Sequence, residues 1–253
     1  CMPKQLISIK GNLRGKKVMK IPLTCMICLR EAGLKEPVGH ALVIRDDGLY
    51  YFQCEQSHES VTCLQEQKFE LLFETALNAI RDGYQREAVA SFTASYERFM
   101  EFFLQVILRR HNVTEEVSGD AWKKVSKQSE RQLGAYVLMY SQEFNKLPPM
   151  LSNSMIELRN KVIHQGHFPV KEKAVSYGRA VFECIQPVLH ALKTQYKEET
   201  NNAVLAYVKS IQDRIKGDKH VSLTSIPTAI CVANAPQADA IDFNAILGRY
   251  GID

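Results

Sequence analysis

Phe69-Glu70-Leu71-Leu72-Phe73-Glu74-Thr75-Ala76-Leu77-Asn78-Ala79-Ile80 marks a change of period in the chain. Apolar side chains at 69, 72, 73, 76, 77 and 80 follow i, i+3, i+4 spacing, the stripe of an amphipathic helix. The pattern predicts a helix from about 67, stopped by Gly83. A longer helix follows over Gln85–Arg110, with Ala88, Phe92, Ser95, Tyr96, Phe99, Phe102, Phe103, Val106 and Ile107 on its apolar side. Residues 112–120 read as a polar connection and 133–144 as a third helix. Pro148-Pro149 punctuates the chain, and a proline suits the first turn of a fourth helix over 149–164. Gly166 supplies a left-handed cap. A fifth helix spans 171–197, where Pro187 predicts a kink and Cys184 reads as a small core residue. Residues 200–216 complete the helical reading. Beyond them lies an extended tail with one turn at 243–247.

Upstream of residue 67 the signals are β. Residues 5–22 alternate loosely around Gly11-Asn12-Leu13-Arg14-Gly15, which suggests a hairpin. A second, clearer hairpin is predicted where Ala41-Leu42-Val43-Ile44-Arg45 and Leu49-Tyr50-Tyr51-Phe52-Gln53 flank Asp46-Asp47-Gly48. The expected fold class is therefore mainly α, a helical bundle preceded by a small β module. Its segments are a basic arm or hairpin at 1–20, a β module at 21–66, a helical domain at 67–198, and a C-terminal helix and extended tail at 199–253.

Composition narrows the functional classes. The 253 residues are 45% hydrophobic and 24% charged, with formal net charge +4, as expected of an ordinary folded protein. No apolar stretch reaches membrane-span length and no secretory h-region is evident, so the expectation is a cytoplasmic protein without a membrane partner. Seven cysteines in such a chain do not suggest a disulfide framework. Positive charge is concentrated in Lys4, Lys10, Arg14, Lys16, Lys17 and Lys20, with no acid among the first twenty residues. Either a phosphate-seeking arm or a β-edge kept soluble by lysines fits that pattern.

Cys25-Met26-Ile27-Cys28 pairs two cysteines two residues apart, and Cys54-Glu55-Gln56-Ser57-His58 sets a histidine four residues after a third. Zinc takes four tetrahedral thiolate and imidazole ligands, and two short loops can present two each. The predicted ligands are Cys25, Cys28, Cys54 and His58, with Cys63 as the alternative fourth. A module of about 45 residues has little core of its own, so metal binding would supply the missing stability. A redox Cys-x-x-Cys is disfavoured, since such a motif should open a helix after a buried strand. This stretch, with Asp46-Asp47-Gly48-Leu49-Tyr50-Tyr51-Phe52-Gln53-Cys54 ahead of His58, resembles a zinc ribbon over 21–66. It departs from that family where Ser57 stands in place of a glycine. With no open coordination position evident, the zinc is expected to be structural.

Met155-Ile156-Glu157-Leu158-Arg159-Asn160-Lys161-Val162-Ile163-His164-Gln165-Gly166 sets an arginine five residues before a histidine near a helix end. The spacing alone is weak, and Arg214-Ile215-Lys216-Gly217-Asp218-Lys219-His220 is a decoy of similar form. Asn160 and His164 are four apart and share a helical face, with Arg159 on the neighbouring one. Together with Gly83-Tyr84-Gln85-Arg86-Glu87-Ala88 and the helix carrying Tyr96-Glu97, the Arg-Asn-x-x-x-His motif resembles the HEPN family over 67–198. The resemblance implies a dimeric, metal-independent endoribonuclease with two motifs meeting across a two-fold interface. His164 would be the general acid or base, Arg159 the stabiliser of the phosphorane and Asn160 a positioning group; Glu157 is a weaker candidate. It further implies an RNA substrate, no catalytic metal, a defence or toxin setting and an antitoxin-like regulatory partner. Two other readings stand beside it. One is a non-catalytic dimer that binds nucleic acid or a protein partner through the ribbon, and the other a DNA-associated regulator dominated by ribbon and basic arm. Arg109-Arg110-His111 and Trp122-Lys123-Lys124 read either as an RNA groove or as solvated faces.

Overall fold

A computed structural model describes residues 20–31, 39–215, 221–233 and 242–252. Most of the basic arm and the hairpin expected over 5–22 lies outside these residues, as does His220. Among the described residues the order is β1 (Lys20–Thr24), α1 (Met26–Glu31), β2 (Gly39–Val43), β3 (Leu49–Gln53), β4 (Glu59–Leu64), α2 (Lys68–Arg81), α3 (Gln85–Arg110), α4 (Glu115–Val125), α5 (Ser129–Phe144), α6 (Asn153–Gln165), α7 (Lys171–Gln195), α8 (Lys197–Gln212), β5 (Val221–Thr224) and α9 (Phe243–Arg249). The architecture is mainly helical with a small β module, as the change of period predicts. Among the described residues, no helix is long and apolar enough to cross a membrane.

The chain forms two compact units. One takes the residues up to Glu66 and Leu205–Pro227; the other takes Gln67–Val204 and the residues from Thr228 onward. The segment anticipated as one C-terminal helix and tail is thus shared between them, and the division falls inside α8.

In the first unit, β1 pairs antiparallel with β2, while β3, β4 and β5 form a separate sheet. The hairpin expected over 41–53 does not form. Both runs are strands, but β2 pairs with β1 and β3 pairs with β4. The turn between them exists: Gly48 takes φ +64°, its N–H reaches the Arg45 carbonyl at 3.3 Å, and Asp47 accepts from the Leu49 N–H. A tighter closure wins the pairing. Between Cys54 and His58 the Ser57 N–H donates to the Cys54 carbonyl at 2.9 Å, and the Cys54 N–H donates to the His58 carbonyl at 3.1 Å. The β3–β4 ladder then extends past β3, with the Leu64 N–H donating to Gly48. β5 was not anticipated; it lies parallel to β4 with Val61 opposite Val221, and Thr62 and Ser222 hydroxyls 2.8 Å apart. One apolar cluster of this unit holds Leu49, Val61, Cys63 and Ile211, with Tyr207 and Ile215 against them, and Leu23, Tyr50, Phe52, Leu64 and Val208 are buried in the unit as well.

The second unit has a large core in which rings interlock. Phe69 packs on Phe99 and Phe102, Phe73 on Phe92, and Phe103 on Tyr136 and Tyr140. The aromatic set read from α3 is buried, and so is Cys184, whose thiol burial pushes up to about 11. Gly178 of α7 lets the Phe92 ring approach so closely that a Cβ there would sit 2.6 Å from it.

Several helix boundaries differ from expectation; α5 begins at Ser129 rather than 133, and α8 runs Lys197–Gln212 rather than over 200–216. The stretch 112–120 is largely helical, since α4 begins at Glu115 with the Thr114 side chain capping the Val117 N–H. α6 starts at Asn153 rather than at Pro149, because the Ser152 carbonyl accepts the first helical bonds from Met155 and Ile156. The Pro149 carbonyl accepts from the Tyr96 hydroxyl instead. Pro187 lies inside α7, and Gly166 caps α6 at φ +69°.

Candidate metal centre and the Arg159–His164 segment

The first unit gathers four potential ligand side chains. Sγ of Cys25, Cys28 and Cys54 and a ring nitrogen of His58 all lie within 4.8 Å of one another. Cys28 Sγ is 3.5 Å from Cys54 Sγ and 3.3 Å from His58 Nδ1, while Cys25 Sγ is 3.9 Å from the same nitrogen. A tetrahedral ion with metal–sulfur bonds of about 2.3 Å has sulfur–sulfur edges of roughly 3.8 Å, so the spacing suits one metal ion. Cys63 is elsewhere: it is fully buried in β4 within the small apolar cluster.

Local structure explains the gathering. Cys25 follows β1 and accepts the first bond of α1 from the Leu29 N–H at 3.0 Å, which puts Cys28 on the first turn. The motif therefore does open a helix after a strand, so the ground given above for setting redox chemistry aside does not hold. What separates this site from a redox pair is the third thiol and the imidazole brought in by the Cys54–His58 turn. Burial opposes ionisation of Cys25, but N–H groups of Cys28 and Ile27 and the Ser60 hydroxyl hold its thiol at about 6. Cys28 is pushed up to about 12, first by burial and then by its Cys54 and Cys25 neighbours. Thiols that compete in this way ionise together once a cation joins them.

In the second unit, Arg159 and Asn160 are half-buried on α6, and His164 is exposed in its last turn. The Arg159 guanidinium donates to Asn160 Oδ1 at 2.9 Å and reaches Glu97 Oε1 of α3 at 3.4 Å. The Ser129 hydroxyl at the start of α5 donates to the same Glu97 oxygen at 2.8 Å. Glu97 thus ties α3, α5 and α6 together around the arginine. The sequence names Glu97 only as part of its helix; the signal for its role was an acid on a buried helical face, 62 residues upstream of the arginine. The His164 imidazole makes no hydrogen bond or ion pair among the described residues, and Glu157 is exposed.

Several of the basic groups read as an RNA groove or as solvated faces are paired, Arg110 among them, which reaches Glu199 at 3.9 Å. Arg109 pairs with Glu115, His111 with Glu143, and Lys123 with Asp120, while Arg98 lies over the Trp122 ring. They behave as paired surface charges, of the kind worth little individually. In the decoy, Arg214 donates to the Asp47 carbonyl of its own unit at 2.9 Å. No family model, curated protein or solved structure matches this chain.

Proposed function

We propose that the helical unit cleaves RNA without a catalytic metal, and that the β unit is held by a structural zinc. The observation carrying the nuclease reading is the contrast on α6 between a guanidinium fixed by Glu97 and Asn160 and a partner-free imidazole at the exposed helix end. Attack by the RNA's own 2′-hydroxyl on the adjacent phosphorus breaks the bond to the 5′ oxygen and leaves a 2′,3′-cyclic phosphate. The step needs a proton carrier active near neutral pH, which suits His164. Charge building on the phosphorane suits the remaining N–H donors of Arg159. Asn160 orients that guanidinium, and Glu97 holds it from α3.

The HEPN resemblance adds a homodimer, for which Ile156 on α6 and Leu147, Met150, Phe168 and Val170 in its flanking segments supply exposed apolar side chains. It also adds a defence or toxin setting and a regulatory partner. Zinc follows from three soft thiolates with one imidazole and no open position. A thiolate site of this kind persists in reducing surroundings, which supports the cytoplasm as its location.

The deciding experiment incubates the full chain with RNA in EDTA, for times too short to strip thiolate-bound zinc. Cleavage leaving 2′,3′-cyclic ends is expected, with Arg159→Ala and His164→Ala each slowing it by about 10²–10⁴-fold. Full activity in either variant sinks the assignment. An inert wild type that still binds RNA replaces it with the non-catalytic dimer, in which Glu97–Arg159–Asn160 is a structural contact.

A further inference from the structure

We infer that His58 meets the metal through Nδ1 and that Glu31 is the positioning residue that holds the opposite ring nitrogen as the proton-bearing one. The inference rests on the zinc reading above and goes beyond it by assigning the ligand atom and the group that selects it.

Both faces of the imidazole are accounted for. Nδ1 is the nitrogen turned toward sulfur, 3.3 Å from Cys28 Sγ and 3.9 Å from Cys25 Sγ. Nε2 points the other way, 3.6 Å from Glu31 Oε2. A neutral imidazole carries one N–H, so a metal on Nδ1 requires the proton on Nε2, and a carboxylate at that end stabilises this tautomer. A separation of 3.6 Å closes to hydrogen-bond length with a small rotamer change of the exposed Glu31.

The helix explains why the carboxylate is available. Cys28 and Glu31 are three residues apart on α1 and so neighbour one another on its surface. One short helix therefore brings a thiolate ligand and, one turn later, the partner of the histidine ligand that arrives from the Cys54–His58 turn. Glu31 is well exposed, its side chain 63% accessible, so water competes for it and its effect falls at the low end for such outer partners.

The test begins with zinc content of the full chain, where one ion per chain is expected. Histidine-¹⁵N spectra of the zinc-loaded chain should then show one imidazole bound at Nδ1 with its proton on Nε2. That signal is assigned by its absence in His58→Cys, which keeps a four-thiolate site. Zinc retention against a competing chelator should fall about tenfold in Glu31→Ala and less in Glu31→Gln, which keeps an acceptor oxygen. The same Glu31 changes placed in the His58→Cys background should have no effect. Binding through Nε2, unaltered retention in Glu31→Ala, or equal losses in both backgrounds overturns the inference while leaving the zinc reading intact. A chain that takes up no zinc overturns both.

Discussion

The β unit gathers Leu49, Val61, Cys63 and Ile211 around Tyr207 and Ile215, whereas the helical unit interlocks rings from Phe69 on α2 to Phe243 on α9. Both hold strands or helices brought from distant parts of the chain, yet they balance the entropy of ordering differently. A core of small size supplies limited burial energy against a cost of about 1–2 kcal/mol per ordered residue. The helical unit meets the same cost with buried apolar area. The β unit also sets four candidate ligand side chains side by side, and an ion shared among them would add to what its core supplies.

Removing the proposed zinc is the sharpest way to break this contrast. A strong zinc chelator, or Cys28→Ser, should unfold the β unit and forfeit on the order of 10 kcal/mol of binding free energy. Amide exchange should then collapse across residues 39–66 while amides of α3 and α7 stay protected. Equal loss of protection in both regions would show that the two do not differ in this way. Next in size is a cavity in the helical core: Phe103→Ala removes a fully buried ring packed on Tyr136 and Tyr140, at a cost of about 3–5 kcal/mol in urea unfolding. Zinc content should be unaltered in this variant.

The smallest effect concerns buried carboxylates in the helical unit. Glu74 accepts bonds from the Ala229 N–H and the Tyr250 hydroxyl, and burial raises its carboxyl above the usual glutamate range. A group raised on folding stabilises fully below its unfolded value, and that contribution is lost as pH climbs through the folded value. Stability of the helical unit should therefore decline from mildly acid toward neutral pH, and Glu74→Gln should flatten the decline. Urea midpoints at several pH values give the slope; an identical slope in the variant would contradict this origin.

Period and punctuation made the helical unit legible. The limits of α3 and the left-handed cap at Gly166 follow from residues within a few positions of each other. α4 escaped because none of its side chains is fully buried and its polar residues dominate, although Val117, Ala121, Trp122 and Val125 recur at helical spacing and Thr114, the acids at 115 and 116 and the lysines at 123 and 124 are the cap and dipole signals of a helix. In the β unit, alternation located strands but not their partners. Pairing was decided by the Cys54–His58 turn and by β5, whose residues lie far along the chain. The same separation governs the sites: the four candidate metal ligands stand in two short motifs and could be read, while the Glu97 contact with Arg159 spans 62 residues and leaves no mark in local spacing.

Because Thr62 and Ser222 stand 160 residues apart, β4 emerges from the ribosome long before the strand that flanks it. At synthesis rates of about 5–20 residues per second, that edge waits roughly 8–30 s for its neighbour. During this interval the nascent sheet presents an unpaired row of N–H and C=O groups, a template for pairing with another nascent chain. Translation speed, and not only sequence, therefore bears on how much of this protein reaches its native form.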